Sequence, residues 1–298
     1  MPHRRQFLRH FTGLFPIVLG VVMVGGVLVG AQPASAQTCI QDVWQAHGNT
    51  QNLTCTANDV TLSSVTNVCV HTVLNDPNSL SLAANKMYFQ SFPQAVRAET
   101  LITKHAADVK EFAKKHGGEC VLKPLQGSGG SGVFKVDAEN MSNINQMIEA
   151  ITRDGYIIAQ AYVPAAAKGD IRLFIMNGQP LRIGKKYAVL GRVSAKDDIR
   201  SNIHAGGKAV AAEIGANELR VAERIRPKLI ADGMFLVGID IVGDLILEVN
   251  VFSPGNLHSC NKLNGVNFAE PIIASVERKV EISKEFASAF DNKALAVM

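Results

Sequence analysis

From about residue 68 to the end of the chain, short apolar segments alternate with amphipathic helical patterns, and glycine-rich turns separate them. This alternation predicts an α+β fold. The predicted helices are Ser79–Phe92, Ala106–His116, Met141–Arg153, Asn217–Ala231 and one within Asn267–Phe290. The predicted strands are Cys120–Leu125, Val133–Val136, Tyr156–Val163, Ile171–Met176, Phe235–Val242 and Leu245–Val251. The chain has 298 residues, of which 47% are hydrophobic and 19% charged, so it can form a substantial core.

The charge of the chain does not favour a nucleic-acid partner. The formal net charge is +4, from 30 basic and 26 acidic residues. Residues 1–36 contain three of the basic residues, all of them arginines, and no acidic residue. The rest of the chain therefore has 27 basic and 26 acidic residues and a net charge of +1. Nucleic-acid binding domains need a basic face that dominates the domain, so we expect no such partner.

Residues 1–36 have the pattern of a signal peptide. Three arginines precede an uncharged apolar run, Ile17–Gly30, and Ala34-Ser35-Ala36 forms a small-x-small cleavage site. The string Arg4–Arg9 also resembles a twin-arginine export signal. The alternative is an uncleaved membrane anchor, although the apolar run is shorter than the about 20 residues that span a bilayer comfortably.

Residues 37–67 have a different, secreted-looking composition and are predicted to be poorly structured. Cys39 and Cys55 lie within them and form a disulfide if the segment is exported. The alternative is two ordinary thiols.

A lysine on a predicted strand precedes a glycine-rich loop. Lys123 lies within Val121–Leu125, and four glycines follow in the six residues Gly127–Gly132. A strand lysine can reach nucleotide phosphates, and glycines allow backbone N–H groups to approach the same phosphates. The loop lacks the Gly-Lys-Ser/Thr of a Walker motif. A phosphate-binding loop and a flexible surface hairpin both remain open at this point.

The second candidate site is a pair of strands that carry acids among apolar residues. Glu248 and Asn250 share one face of their strand, and Asp240 lies on the preceding strand. A two-residue turn at Gly243-Asp244 would pair Asp240 with Leu247, so we predict a three-residue connection that pairs Asp240 with Glu248. Two carboxylates and an amide oxygen suit Mg²⁺. The alternative is an exposed hairpin whose polar residues face water.

These two features, with the motifs that flank them, resemble prokaryotic glutathione synthetase, a member of the ATP-grasp superfamily. The resemblance covers roughly residues 68–290. Its motifs appear in order as Asn75-Asp76-Pro77-Asn78-Ser79-Leu80, Ala84-Asn85-Lys86, Val121–Leu125, Gln160-Ala161-Tyr162-Val163-Pro164, Gly169-Asp170-Ile171-Arg172, Arg200-Ser201-Asn202, Ala205-Gly206-Gly207, Val237–Asp240 and Glu248-Val249-Asn250.

The resemblance implies two lobes that clasp ATP, a small lobe at about 100–162 and a large lobe at about 163–290, within an ATP-grasp domain at 68–298. It implies ATP binding by Lys86, Lys123, Gly127, Gly129, Gly130, Gln160, Ala161, Tyr162, Val163 and Asp170. It implies catalytic contacts with the γ-phosphate and an acyl-phosphate from Arg172, Arg200 and Asn202. It implies that Mg²⁺ or Mn²⁺ is bound by Asp240, Glu248 and Asn250.

The implied reaction joins γ-glutamylcysteine to glycine with cleavage of ATP to ADP and phosphate. Family members also carry an α/β domain before this region, and here the signal-like and secreted-looking segments take its place. A fusion, a misjoined gene and a chimera would each produce such a chain. An inactive ATP-binding remnant and an exported binding protein are therefore alternative functions. The signal segment favours export, the resemblance favours the cytoplasm, and the resemblance also suggests a homo-oligomer.

Overall fold

The computed structural model describes residues 70–127, 131–153, 155–193, 207–252, 254–286 and 289–298, and the backbone of 22–25, 56–57 and 60–61. Most of the signal-like and secreted-looking segments, with Cys39 and Cys55, lie outside the described residues. So do four residues predicted for the site, Gly129, Gly130, Arg200 and Asn202. Among the helices of the described part, none is both long enough and apolar enough to cross a membrane.

The described strands and helices follow one another as an α+β chain, as predicted. The strands are β1 Val22–Gly25, β2 Thr56–Ala57, β3 Val60–Thr61, β4 Val70–Leu74, β5 Thr100–Thr103, β6 Cys120–Pro124, β7 Phe134–Val136, β8 Ile157–Ala161, β9 Asp170–Met176, β10 Gln179–Pro180, β11 Arg182–Ile183, β12 Lys186–Tyr187, β13 Val189–Val193, β14 Lys208–Val210, β15 Leu236–Val242 and β16 Leu245–Asn250. The helices are α1 Pro77–Leu82, α2 Ala106–Lys115, α3 Ile144–Thr152, α4 Ala216–Ala231, α5 Leu257–Asn264, α6 Ala269–Glu285 and α7 Asn292–Val297.

The smaller of the two main sheets has the strand order β5-β8-β6-β7, with every neighbouring pair antiparallel. Helices α2 and α3 cover one face, where Phe112, Leu122, Ile148 and Ile157 form part of a buried cluster. Because side chains alternate between the two faces of a strand, Lys123 lies on the face opposite Leu122. That face is the one available to a ligand.

The larger sheet has the strand order β14-β13-β9-β15-β16, again antiparallel throughout, and β10 folds back on β9. On one face, Leu173 and Ile175 of β9 pack in a cluster with Ile225 and Leu229 of α4. On the other face, Phe174 packs in a second cluster with residues of α5, α6 and α7. The polar side chains of β9, Asp170 and Arg172, lie on this second face, toward the beginning of the strand.

One helix prediction is wrong at its boundaries. Ser79–Phe92 is not one helix, because α1 ends at Leu82 and a separate 3₁₀ turn runs from Lys86 to Ser91. The side chain of Asn85 accepts a hydrogen bond from the Met87 N–H, and the Lys86 N–H bonds to the Leu125 carbonyl, so the chain turns there. The last predicted helix is α6, and a further helix, α7, follows it.

The acidic hairpin has the predicted pairing but not the predicted turn. Asp240 pairs with Glu248, which confirms the expected partners. The connection has two residues, because Val242 pairs with Leu245, and the three-residue connection is wrong. A bulge between these pairs absorbs the extra residue, Leu247. The alternation of apolar and polar residues does not indicate a bulge. For that reason the sequence predicts the extra residue in the turn instead.

Candidate active site

One row of charged side chains crosses three strands of the larger sheet. Arg172 on β9 pairs in register with Asp240 on β15, which pairs in register with Glu248 on β16. Residues directly opposite each other in an antiparallel pair project to the same face. The antiparallel order of these strands therefore gathers three ionisable groups that are far apart in sequence.

Asp240 is the centre of a buried ion network. It is 2% exposed, and Arg172 donates to it from Nε at 2.6 Å and from Nη2 at 2.7 Å. Arg192 on β13 donates to the same carboxylate at 2.7 Å and binds Asp170 through Nε at 2.7 Å and Nη2 at 2.9 Å. Burial alone would raise the pKa of the Asp240 carboxyl, but its two arginine partners outweigh burial and hold that pKa below its usual value.

Arg192 belongs to this site but is not among the residues predicted from the sequence. It is 4% exposed and lies in an apolar strand, where an unpaired charge would be costly. An arginine within Val189–Val193 is therefore the same kind of sequence signal as an acid in an apolar strand. Its acidic partners, however, come from β9 and β15, and only the strand order makes them neighbours.

Glu248 has the opposite electrostatic character. Burial is the main cause that raises the pKa of its carboxyl, and the neighbouring Asp240 carboxylate raises it further. Lys123, Arg172 and Lys86 offset part of this rise. Asn250, two residues along, donates from Nδ2 to Asp240 at 3.4 Å. The facing carboxylates and the amide oxygen of Asn250 are hard oxygen donors, so these residues fit a Mg²⁺ ion that would relieve the repulsion.

The smaller sheet supplies a lysine to the same region. The Lys123 ammonium donates to Gln160 Oε1 at 2.7 Å, and Gln160 Nε2 donates to the Thr100 hydroxyl at 3.3 Å. Burial lowers the pKa of Lys123, and the nearby Glu248 carboxylate opposes that shift. Lys123 and Glu248 belong to different sheets, so their interaction joins the two sheets electrostatically.

Lys86 approaches from a third element, the 3₁₀ turn after α1. Its ammonium donates to the Gly127 carbonyl at 2.9 Å, at the beginning of the glycine loop. Burial lowers the pKa of Lys86, and the Glu248 carboxylate again opposes the shift. Lys86 and Lys123 thus both interact with the Glu248 carboxylate, from two different elements of the fold.

The four neighbouring residues implied for ATP binding, 160–163, comprise the last two residues of β8 and the two that follow it. The Ala161 N–H bonds to the Glu99 carbonyl, and the Tyr162 ring lies under the Lys135 ammonium at 4.4 Å. Val163 is the residue that precedes a short 3₁₀ turn at Pro164–Lys168. This segment connects the smaller sheet to β9 of the larger one, and therefore lies between the two sheets in the chain.

Two lysines, two arginines and a pair of carboxylates meet where the two sheets come together. Cations neutralise phosphate charge and facing carboxylates bind a divalent ion, so the arrangement suits a nucleoside triphosphate with its metal. The fold and this site define an ATP-grasp protein. A solved structure, that of D-cycloserine synthetase DcsG, shares the fold with a TM-score of 0.53 and 16% identity, over 66% of this chain and 72% of that one.

Residues 85–265 match the family described as prokaryotic glutathione synthetase, ATP-grasp domain, and the chain belongs to this family. Glutathione synthetase of Thermosynechococcus vestitus is 35% identical over 204 residues, which are 68% of this chain and 61% of that protein. Glutathione synthetase of Agrobacterium fabrum is 36% identical over 209 residues, which are 70% of this chain and 63% of that protein. The chain therefore spans less than two thirds of the length of these relatives.

Proposed function

We propose that this protein is an ATP-dependent ligase that joins a carboxylate to an amine through an acyl-phosphate, as a glutathione synthetase does. The observation that carries the proposal is the convergence of Lys86, Lys123 and Arg172 on Glu248 and Asp240 within a chain of this family. By the same family relation, the substrates are γ-glutamylcysteine and glycine, and the products are glutathione, ADP and phosphate.

The chain's own residues have distinct tasks in this proposal. Lys86 and Lys123 hold the phosphates of ATP from two sides, and Arg172 directs its guanidinium toward the transferred group. Phosphoryl transfer depends on positioning and on cations near the moving charge, so no side-chain nucleophile is needed. Arg192 keeps Arg172 in place through the Asp240 carboxylate that both arginines bind.

Asp240, Glu248 and Asn250 would hold Mg²⁺. When bound, the ion neutralises part of the phosphate charge. Among the described residues, no group of three or more His, Cys, Asp or Glu side chains could hold a metal ion without other ligands. A site of two carboxylates and one amide is consistent with Mg²⁺, which usually takes its remaining ligands from phosphate and water.

The second candidate function is ATP binding without turnover. It would need only the phosphate contacts of Lys86 and Lys123. The third candidate function is an exported binding protein.

The test is ADP release by the chain that starts at Gln37, with ATP, Mg²⁺, γ-glutamylcysteine and glycine each omitted in turn. The ligase requires all four components and loses activity in Lys123→Ala. The matched control is Lys114→Ala, which removes an exposed lysine from α2 and leaves the rate unchanged. ATP binding without ADP release would support the second function, and absence of ATP binding would contradict both.

We further propose that residues 1–36 direct export. A reporter fused after Gln37 measures export directly, and its loss in the double variant Arg4→Lys, Arg5→Lys would identify the twin-arginine route. Retention of the reporter in the cytoplasm would contradict this proposal.

A further inference from the structure

Asn75 is a buried polar residue to which the proposed function gives no task. It lies between β4 and α1 and is 4% exposed. Its Nδ2 donates to the Leu236 carbonyl at 3.1 Å and to the Val251 carbonyl at 2.6 Å. Its Oδ1 accepts from the Leu236 N–H at 2.8 Å. The side chain thus binds the backbone at the beginning of β15 and just beyond the end of β16.

These bonds occur where the ladder between β15 and β16 stops. Gly238 pairs with Asn250, so a regular antiparallel ladder would continue with Val237 opposite Val251 and then Leu236 opposite Phe252. β16 ends at Asn250 instead. The amide of Asn75 presents one donor and one acceptor to Leu236, as the backbone of a paired residue would. Asn75 therefore takes the place of residue 252 in the ladder.

The chain after β16 leaves the ladder and turns toward the candidate active site. We define the exit loop by its described residues, 251, 252 and 254–256. The Gly255 carbonyl accepts from Arg172 Nη1 at 3.4 Å. Pro254 lies against Gly238, where an added Cβ would approach the Pro254 Cβ to 2.9 Å. The exit loop thus contacts Arg172 and the strand that carries Asp240.

We infer that Asn75 is a positioning residue that ends β16 and so holds the exit loop against Arg172, the arginine that the proposed function directs toward the transferred group. The catalytic role of Arg172 rests on the proposed function. The backbone part of the inference, that Asn75 replaces residue 252 in the ladder, does not depend on it.

The experiment compares Asn75→Ala with Asp76→Ala in the chain that starts at Gln37. Asp76 is the neighbouring residue and accepts from the Ser79 N–H as the N-cap of α1, so its loss destabilises the same segment without touching β16. Two measurements are made, hydrogen exchange at single amides and steady-state kinetics. Asn75→Ser is the second variant if Asn75→Ala does not fold.

We expect Asn75→Ala to accelerate exchange at the Leu236 amide, which donates to Asn75 Oδ1, at least tenfold, with little change in Asp76→Ala. We expect kcat for ADP release to fall about tenfold, because Arg172 loses the support of the exit loop, and the KM for ATP to stay within twofold. Equal effects of the two variants, or faster exchange with an unchanged kcat, would overturn the inference.

Failure of the proposed function is distinguishable from failure of this inference. If the unaltered chain releases no ADP, the exchange at the Leu236 amide still decides whether Asn75 takes the place of residue 252 in the ladder. If neither Asn75→Ala nor Asn75→Ser folds, hydrogen exchange in the unaltered chain is the test. A Leu236 amide that exchanges as slowly as that of Gly238 supports the inference, and one that exchanges as fast as unpaired loop amides overturns it.

Discussion

At the scale of single residues, Arg192 holds two buried carboxylates in place. Arg192→Met removes its bonds to Asp170 and Asp240. Loss of one member of a buried ion network costs about 3–5 kcal/mol, because the remaining charge loses its compensation. We expect the free energy of unfolding to fall by about 3 kcal/mol or more in a urea titration.

The matched control is Arg153→Met, whose arginine forms an exposed pair with Glu149 at 3.6 Å. Exposed pairs contribute about 0–1 kcal/mol, so this variant should be close to the unaltered protein. Equal effects of the two substitutions would show that the network around Asp240 does not contribute to stability.

The two described cysteines, Cys120 and Cys260, are free and fully buried. Burial raises the pKa of Cys120 to about 11 and that of Cys260 to about 12. We therefore expect neither thiol to react with Ellman's reagent at pH 8 until the protein unfolds. The assay uses a background in which Cys39, Cys55 and Cys69 are serine, and rapid reaction of either thiol in the native state would contradict the buried positions.

The same pKa values predict an alkaline loss of stability. The unfolded thiols deprotonate near pH 9, whereas the folded ones remain protonated to about 11 and 12. The unfolded state thus binds fewer protons in this window, and the free energy of unfolding falls as pH rises above 9. Each thiol contributes up to about 1.4 kcal/mol per pH unit. Cys120→Ala should reduce the slope, and an unchanged slope would refute the assignment.

At the scale of elements, the bulge at Leu247 can be removed without disturbing the acidic pair. Deletion of Leu247 leaves the two-residue turn and the Asp240–Glu248 pair, and makes the ladder regular. We expect the deletion variant to fold and to bind ATP with Mg²⁺ within a few-fold of the unaltered chain, as measured by calorimetry. The control is deletion of Val249, which moves Asn250 to the apolar face. ATP binding that is lost equally in both would contradict the register.

The longer elements were predictable, whereas the strands β5, β13 and β14 and the helices α5 and α7 were not predicted. Strands such as Leu236–Val242 and helices such as Ala216–Ala231 follow from local periodicity, which acts over a few residues. The errors fall where a distant contact intervenes. The predicted helix at Ser79–Phe92 breaks where the Lys86 N–H bonds to the Leu125 carbonyl, which no local pattern announces.

At the scale of the whole molecule, the two sheets meet through Lys123 and Glu248. A ligand that binds both sheets of the folded protein and not the unfolded chain stabilises it by about 2.7 kcal/mol at one hundred times its Kd. We expect ATP with Mg²⁺ at that concentration to raise Tm by about 5–10 °C in a thermal scan. Lys123→Ala should lose most of the shift, and an equal shift in that variant would contradict a phosphate contact.

The sequence by itself determined the class of fold, the strand lysine before the glycine loop and the residues of the acidic hairpin. Each depends on the order of residue types over short distances. Only the tertiary structure decided that Arg192 shares Asp240 with Arg172, and that Asn75 binds Leu236 across 161 residues. These contacts depend on strand order and register, which arise from side chains that are buried together rather than from neighbours in the chain.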